Sequence, residues 1–192
     1  MTFNPKKFEE KTLSRQEIYD GYIIKVVKDE VSLPDGNRGS REIALHNGGV
    51  AVAPILDDKM LLVGQYRKAL EQFIYEIPAG KLEVGEISDT AAAALRELEE
   101  ETGYTTNDLR EIVPFYVSPG FTSEKTFLYY TEELIKVENP RPKDTDEFLE
   151  EIQVTLEQAK AMIAKGQIAD AKTIMAVWYW EMQGLDKEKN NG

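Results

Sequence analysis

The most constraining stretch of this 192-residue chain is residues 89–102, DTAAAALRELEEET. Its alanines favour helix propagation, Ser88 or Asp89 can cap its start, and Gly103 supplies a stop. Glu97, Glu100 and Glu101 stand at relative positions 0, +3 and +4, and so are neighbours on one side of a helix. At 3.6 residues per turn they fall within an arc of roughly 100°. Ala91, Ala94, Leu95, Leu98 and Thr102 occupy a separate arc, the expected buried face. Packing that face presents three carboxylates in one direction.

Such a cluster repels itself, by a few tenths of a kcal/mol per pair at this spacing. Arg96, four residues before Glu100, offsets part of the repulsion; a divalent cation would offset far more. The chain has no cysteine and a single histidine, His46, so thiolate or multi-histidine metal sites and Ser-His-Asp triads lack material. Oxygen ligands alone point to Mg²⁺ or Mn²⁺. The plain alternative is a solvated acidic helix face. Lys plus Arg total 23 against 35 Asp plus Glu, a formal charge of −12, which argues against nucleic-acid and anionic-membrane binding. With 42% apolar residues the chain can build a core. No apolar run spans a bilayer and residues 1–12 lack a secretory pattern, so a cytoplasmic protein is expected.

Around the helix the pattern is mostly extended. Residues 1–16 read as a polar lead-in. Residues 22–33 and 41–46, separated by the turn Pro34-Asp35-Gly36-Asn37, pair as a hairpin. Residues 50–56 and 60–66 are continuously apolar, as strands buried on two faces are. Further strands are expected at 73–77, 111–117, 126–132 and 150–154, and helices at 156–165 and 169–183 before a tail. Trp178 and Trp180 read as packing of the last helix, and His46 as a strand-end surface residue. The sum is a mixed α/β (α+β) sandwich.

The segment from Gly80 onward resembles the Nudix box. Gly80, Glu86, Arg96, Glu97, Leu98, Glu100, Glu101 and Gly103 match its specified positions. Two departures stand out: nine residues, 87–95, separate Glu86 from Arg96 instead of seven, and Tyr104 replaces an aliphatic. The resemblance implies a Nudix-type α/β/α sandwich with a mixed sheet. It implies that Glu97 and Glu101 are the principal metal ligands and Glu100 an additional ligand or support, with Arg96 orienting a carboxylate. The Ala79 carbonyl would complete the coordination, and Gly80 would let backbone pass close to a diphosphate.

Beyond the box the chain is similar to the ADP-ribose pyrophosphatase subgroup. Pro119, in Ser118-Pro119-Gly120-Phe121, lies 15 residues past Tyr104, where that subgroup carries a proline; otherwise it is a turn. Arg67, in Gln65-Tyr66-Arg67, is a phosphate or ribose contact or else a loop arginine. Arg41, beside Glu42, is a substrate contact or a cross-strand ion pair. Tyr22 stacks on adenine or packs in the core. The resemblance puts a general base in the loop KDTDEFLEE, with Glu147 the choice and Asp144, Asp146 and Glu150 its rivals, and a solvated charge run as the plain alternative; Glu124 is a further metal ligand or helper.

The resemblance thus implies an N-terminal β-rich extension at 1–46 serving dimerisation, a Nudix hydrolase domain at 47–183, a flexible tail at 184–192, and a homodimer. The implied reaction is Mg²⁺-dependent (Mn²⁺ also serving) hydrolysis of ADP-ribose to AMP and ribose 5-phosphate. Another nucleoside diphosphate sugar or a dinucleotide as substrate, and a non-catalytic nucleotide-binding regulator, are the alternatives.

Overall fold

The structure, a computed structural model, describes residues 3–143 and 147–190. The chain divides into two compact units, residues 1–48 with 116–125, and residues 49–115 with 126–192.

The first unit is a three-stranded antiparallel sheet of β1 (Lys11–Asp20), β2 (Lys25–Ser32) and β3 (Arg38–Leu45), in that order. β2 and β3 form the expected hairpin, running from Lys25 opposite Leu45 to Ser32 opposite Arg38. β1 corrects the expected polar lead-in. All ten of its residues are exposed, so no apolar alternation marks it as a strand. It is held instead by backbone pairing to β2, with irregularities at Thr12/Ser14 and Glu17/Tyr19. The loop through Pro119 belongs to this unit: Ala44 N–H donates to the Phe121 carbonyl, and Ser123 N–H to the Ala44 carbonyl.

The second unit is built on β4 (Gly49–Leu56), β5 (Lys59–Arg67), β6 (Gln72–Glu76) and β7 (Ala79–Lys81), followed by helix α1 (Thr90–Thr102). Then come β8 (Tyr104–Thr105), β9 (Arg110–Tyr116), β10 (Lys125–Thr131), β11 (Ile135–Lys136), β12 (Glu150–Val154), α2 (Leu156–Ala164) and α3 (Ala171–Asn190). The main sheet has the order β12-β5-β4-β10-β9, with β6 beside β5 and β7 beside β4. It is mixed: β10 runs parallel to β4, while β5 and β7 are antiparallel to it.

Seven of the eight residues of β4 are buried, as its unbroken apolar sequence requires of a strand covered on both faces. Alternation divides them. Val50 and Val52, with Tyr129 of β10, pack on Ala93, Ala94 and Leu98 of α1. Ala51, Ala53 and Ile55, with Leu128 and Tyr130, pack with Ala159 of α2 and Ala176 and Val177 of α3. This is the α/β/α sandwich that the resemblance implies. Trp180 joins the second cluster, whereas Trp178 is exposed. α3 also runs to Asn190, past the expected start of a tail at 184. The residues there, Asp-Lys-Glu-Lys, include good helix formers and no breaker follows Gly184.

Candidate active site

Helix α1 starts from an Asp89 cap, whose side chain accepts the Ala92 N–H at 3.0 Å. It ends at Gly103, left-handed with φ +69°, the conformation glycine adopts without strain. A 3₁₀ turn, Glu86–Ser88, follows Gly85 at φ +98° and leads into the helix. With nine residues between them, Glu86 still meets Arg96: Nε and Nη2 donate to its two oxygens, each at 3.1 Å.

The buried stripe of α1 differs from the expected one. Ala91 is exposed and Leu95 half-buried, while Ala93, Ala94, Glu97, Leu98, Glu101 and Thr102 are buried. Two of the three carboxylates thus lie in the packed seam. The cause is the close approach of β7, whose Gly80 pairs with Val50 of β4. A Cβ on Gly80 would stand 2.0 Å from the Glu97 carboxyl carbon, so any larger residue there would push the Glu97 carboxylate out of its present place. Next to it, the Ala79 N–H donates to Glu101 Oε2 at 3.0 Å.

Arg96 collects the remaining charge. Its Nη1 lies 2.8 Å from Glu97 Oε1 and 2.8 Å from Glu100 Oε2, while Glu86 takes the other side of the fork. Burial lowers the Arg96 pKa, but Glu86, Glu97 and Glu100 more than reverse this and raise it. One cation does not balance the set. Burial pushes Glu97 up to about 7, against the pull of Arg96, with Glu100 and Glu147 adding to the rise. Burial pushes Glu101 up to about 8; the Ala79 N–H opposes it, and the charges of Glu147 and Glu97 add to it. Glu86, held by Arg96, lies below the usual carboxylate range.

Among the described residues no three His, Cys, Asp or Glu side chains stand ready-made around one point as ligands. Arg96 draws Glu97 and Glu100 to itself, and the Ala79 N–H holds Glu101. The residues nonetheless fit a hard dication. The donors are all oxygen, and two of them are carboxylates buried with too little positive charge.

A second polar cluster lies in the same unit. Glu76 at the end of β6 accepts from Arg67 Nε and Nη2 and from Lys172 Nζ. Arg67 is therefore neither a loop arginine nor free: it is forked onto Glu76 across the β5–β6 hairpin. Asp170 caps α3, its Oδ2 accepting Lys172 Nζ at 3.0 Å and the Thr173 N–H at 3.1 Å. Sequence reasoning missed Glu76, Asp170, Lys172 and Thr173. Lys172 and Glu76 are 96 residues apart and share no local pattern; a Glu just before Pro78-Ala79-Gly80 was the only signal.

Of the base candidates, Glu147 acts electrostatically on both Glu97 and Glu101. Glu150 pairs across to Gly64 in β12–β5 and accepts the Tyr75 hydroxyl at 3.1 Å. Asp144 and Asp146 lie outside the described residues. Arg41, Tyr22, Pro119 and Glu124 all fall in the first unit. Arg41 donates from Nε to Glu10 Oε2 at 2.8 Å, an ion pair with a residue of the N-terminal segment and not with Glu42. Tyr22 is 89% exposed in the β1–β2 turn, so it does not pack in a core. Pro119 is exposed in a turn where the Ser118 carbonyl accepts the N–H groups of Phe121 and Thr122. His46 follows β3; its Nδ1 accepts the Gly48 N–H at 2.9 Å.

This geometry has relatives. The NUDIX domain model matches residues 45–177, and the nucleoside diphosphate sugar hydrolase N-terminal domain model matches residues 10–44. A Bacillus subtilis (strain 168) protein named ADP-ribose pyrophosphatase is 45% identical over 179 residues, 93% of this chain and 96% of that one. A Bacillus methanolicus protein named methanol dehydrogenase activator is 46% identical over 185 residues, 96% of this chain and 99% of its own. A crystal structure of an ADP compounds hydrolase aligns with a TM-score of 0.81 at 21% identity, covering 94% of this chain and 96% of that chain, a likeness of fold. With a domain model matched over residues 45–177, a relative alike over nearly its whole length, and the carboxylate helix seated on Gly80, the chain belongs to the Nudix family.

Proposed function

We propose that the chain is a divalent-metal-dependent hydrolase that splits ADP-ribose into AMP and ribose 5-phosphate. The observation that carries this reading is the buried, under-neutralised pair Glu97 and Glu101 packed on Gly80 and Ala79. The Bacillus subtilis relative's name supplies the substrate. Glu97, Glu101, Glu100 and the Ala79 carbonyl would hold the ion, Mg²⁺ or Mn²⁺. When bound, the ion neutralises charge on the diphosphate oxygens. Glu147 takes a proton from the attacking water; the water oxygen bonds to one phosphorus, and the bridging P–O bond breaks to leave the second phosphate. Arg96 fixes Glu100 and Glu86, and Gly80 lets the Glu97 carboxylate lie against the backbone. Arg67 is the candidate phosphate or ribose contact, released in part from Glu76.

The same reading makes the enzyme a cytoplasmic homodimer, with residues 1–46 forming the contact between copies. No helix among the described residues is long and apolar enough to cross a membrane.

A second reading, regulation of a partner enzyme, has the Bacillus methanolicus relative in its favour. One assay separates them. The protein is incubated with Mg²⁺ and a panel of ADP-ribose, other nucleoside diphosphate sugars and dinucleotides, and the products are identified by mass. AMP and ribose 5-phosphate from ADP-ribose are expected. ADP-ribose left whole while another compound is cut overturns the substrate; binding without cleavage of any compound favours the regulator.

A further inference from the structure

Consecutive residues of α3 grip the last residue of β6, Glu76, and the residue after it, Ile77, on the way into the site. Lys172 Nζ donates to Glu76 Oε2, and the Thr173 hydroxyl oxygen accepts the Ile77 N–H at 3.0 Å. Both partners of the second bond are fully buried. On the other side the Pro78 carbonyl accepts the Val52 N–H of β4 at 2.9 Å. The next N–H along, that of Ala79, is the one that donates to Glu101. Pro78 offers no N–H, so the connector at 76–79 is tied at each available point: to α3, to β4 and then to Glu101.

A buried ion network contributes little net stability compared with apolar packing, because desolvation offsets the attraction. What it does well is fix geometry. Groups that orient a metal-binding side chain typically change metal affinity by about 10–100-fold when lost.

We propose that Lys172 and Thr173 are positioning residues: through Glu76 and Ile77 they hold the 76–79 connector in the register at which the Ala79 N–H grips Glu101. This rests on the reading of Glu101 as a cation ligand. It differs from a purely electrostatic role for Lys172 in sign. Lys172 is a positive charge near Glu101, so by Coulomb's law its removal alone tightens cation binding. Its removal as a positioning group loosens it.

The test compares the parent with Thr173→Val, Thr173→Ser and Lys172→Met, each stripped of metal with chelator. Mn²⁺ binding is titrated by electron paramagnetic resonance, and exchange of the Ala79 amide is followed by NMR. Thr173→Val should weaken Mn²⁺ binding about tenfold and speed Ala79 exchange by a similar factor, while Thr173→Ser restores both. Lys172→Met should also weaken Mn²⁺ binding. Unchanged Ala79 exchange in folded Thr173→Val overturns the proposal, and so does tighter Mn²⁺ binding in Lys172→Met. If Thr173→Val does not fold, Lys172→Met decides by the same two readouts. Should the parent bind no Mn²⁺, the ligand reading of Glu101 fails, and the exchange result still decides whether the connector is clamped.

Discussion

Two carboxylates of the second unit are buried to the same degree and behave oppositely. Glu76 is 4% exposed and Glu101 3%. Burial pushes the Glu76 pKa up, but Arg67 and Lys172 more than reverse it, and it ends below the usual carboxylate value. Glu101 ends near 8. The difference is local charge balance. Around Glu76 two cations, Arg67 and Lys172, face two carboxylates, Glu76 and Asp170. Around Glu101, Arg96 serves Glu86, Glu97 and Glu100 without an ion pair to Glu101 itself, and Lys172, bound to Glu76 and Asp170, lowers the Glu101 pKa only through space and by less than burial raises it. One region is finished as an internal ion network. The other lacks positive charge, and burying an uncompensated carboxylate is too costly to persist without a use. That deficit, more than the acidic sequence, is what singles out Glu97 and Glu101 as the candidate cation ligands.

The sharpest way to break the comparison is to neutralise one carboxylate from each region. Glu101→Gln keeps the shape and removes the charge. Turnover should fall about a thousandfold, equivalent to about 4 kcal/mol on the barrier. The metal-free protein should remain as stable as the parent at pH 8 or become more so. Near-normal turnover of ADP-ribose would remove Glu101 from the site. Glu147→Gln should lower turnover by roughly a hundredfold and weaken Mn²⁺ binding far less than that, by the loss of one negative charge near Glu97 and Glu101, since it is read as a proton acceptor and not a ligand. An unchanged rate moves the base to Asp144, Asp146 or Glu150.

Glu76→Gln belongs to the balanced region, and its expected effect is on stability. It strands two cations, at a cost of about 2 kcal/mol once the partial exposure of Arg67 is allowed for. Chemical denaturation should show the loss at neutral pH with or without Mg²⁺. A variant as stable as the parent would mean that the network is not balanced by Glu76.

The helix carrying the candidate ligands was legible because Arg96, Glu97, Glu100 and Glu101 are contiguous and their spacing is helical. What the helical pattern did not disclose was that Glu97 and Glu101 are buried. A wheel divides apolar from charged positions, but here the packing surface is the backbone of Ala79 and Gly80, which takes a carboxylate where it would refuse a Cβ. β4 and β5 were legible as continuous apolar runs. β1 was not, since a strand with every residue exposed carries no burial signal. Glu76 and Lys172 are joined only by the fold, and no local periodicity relates residues that far apart in the chain.

The smallest expected effect is also the most direct measure of the charge deficit. Glu97 and Glu101 have folded-state values of about 7 and about 8, whereas an unfolded glutamate titrates near 4.3. Between about pH 4.3 and those values the folded state holds more protons than the unfolded one, so stability falls as pH rises. With chelator present, unfolding free energy should therefore decline from pH 6 to pH 8, most steeply at the acid end of that window, where both groups are still protonated in the folded state. Glu76 shifts the other way: its contribution is present above the unfolded carboxylate pKa and is lost only in acid, so it adds no slope in this window. Saturating Mg²⁺ should flatten or reverse the decline, because a dication binds the ionised pair and not the protonated one. Glu101→Gln should remove more than half of it, because Glu101 stays protonated in the folded state over more of the window than Glu97 does. A metal-free protein whose stability is level or rising from pH 6 to pH 8 would mean that the two carboxylates are already compensated, and the contrast with Glu76 would vanish.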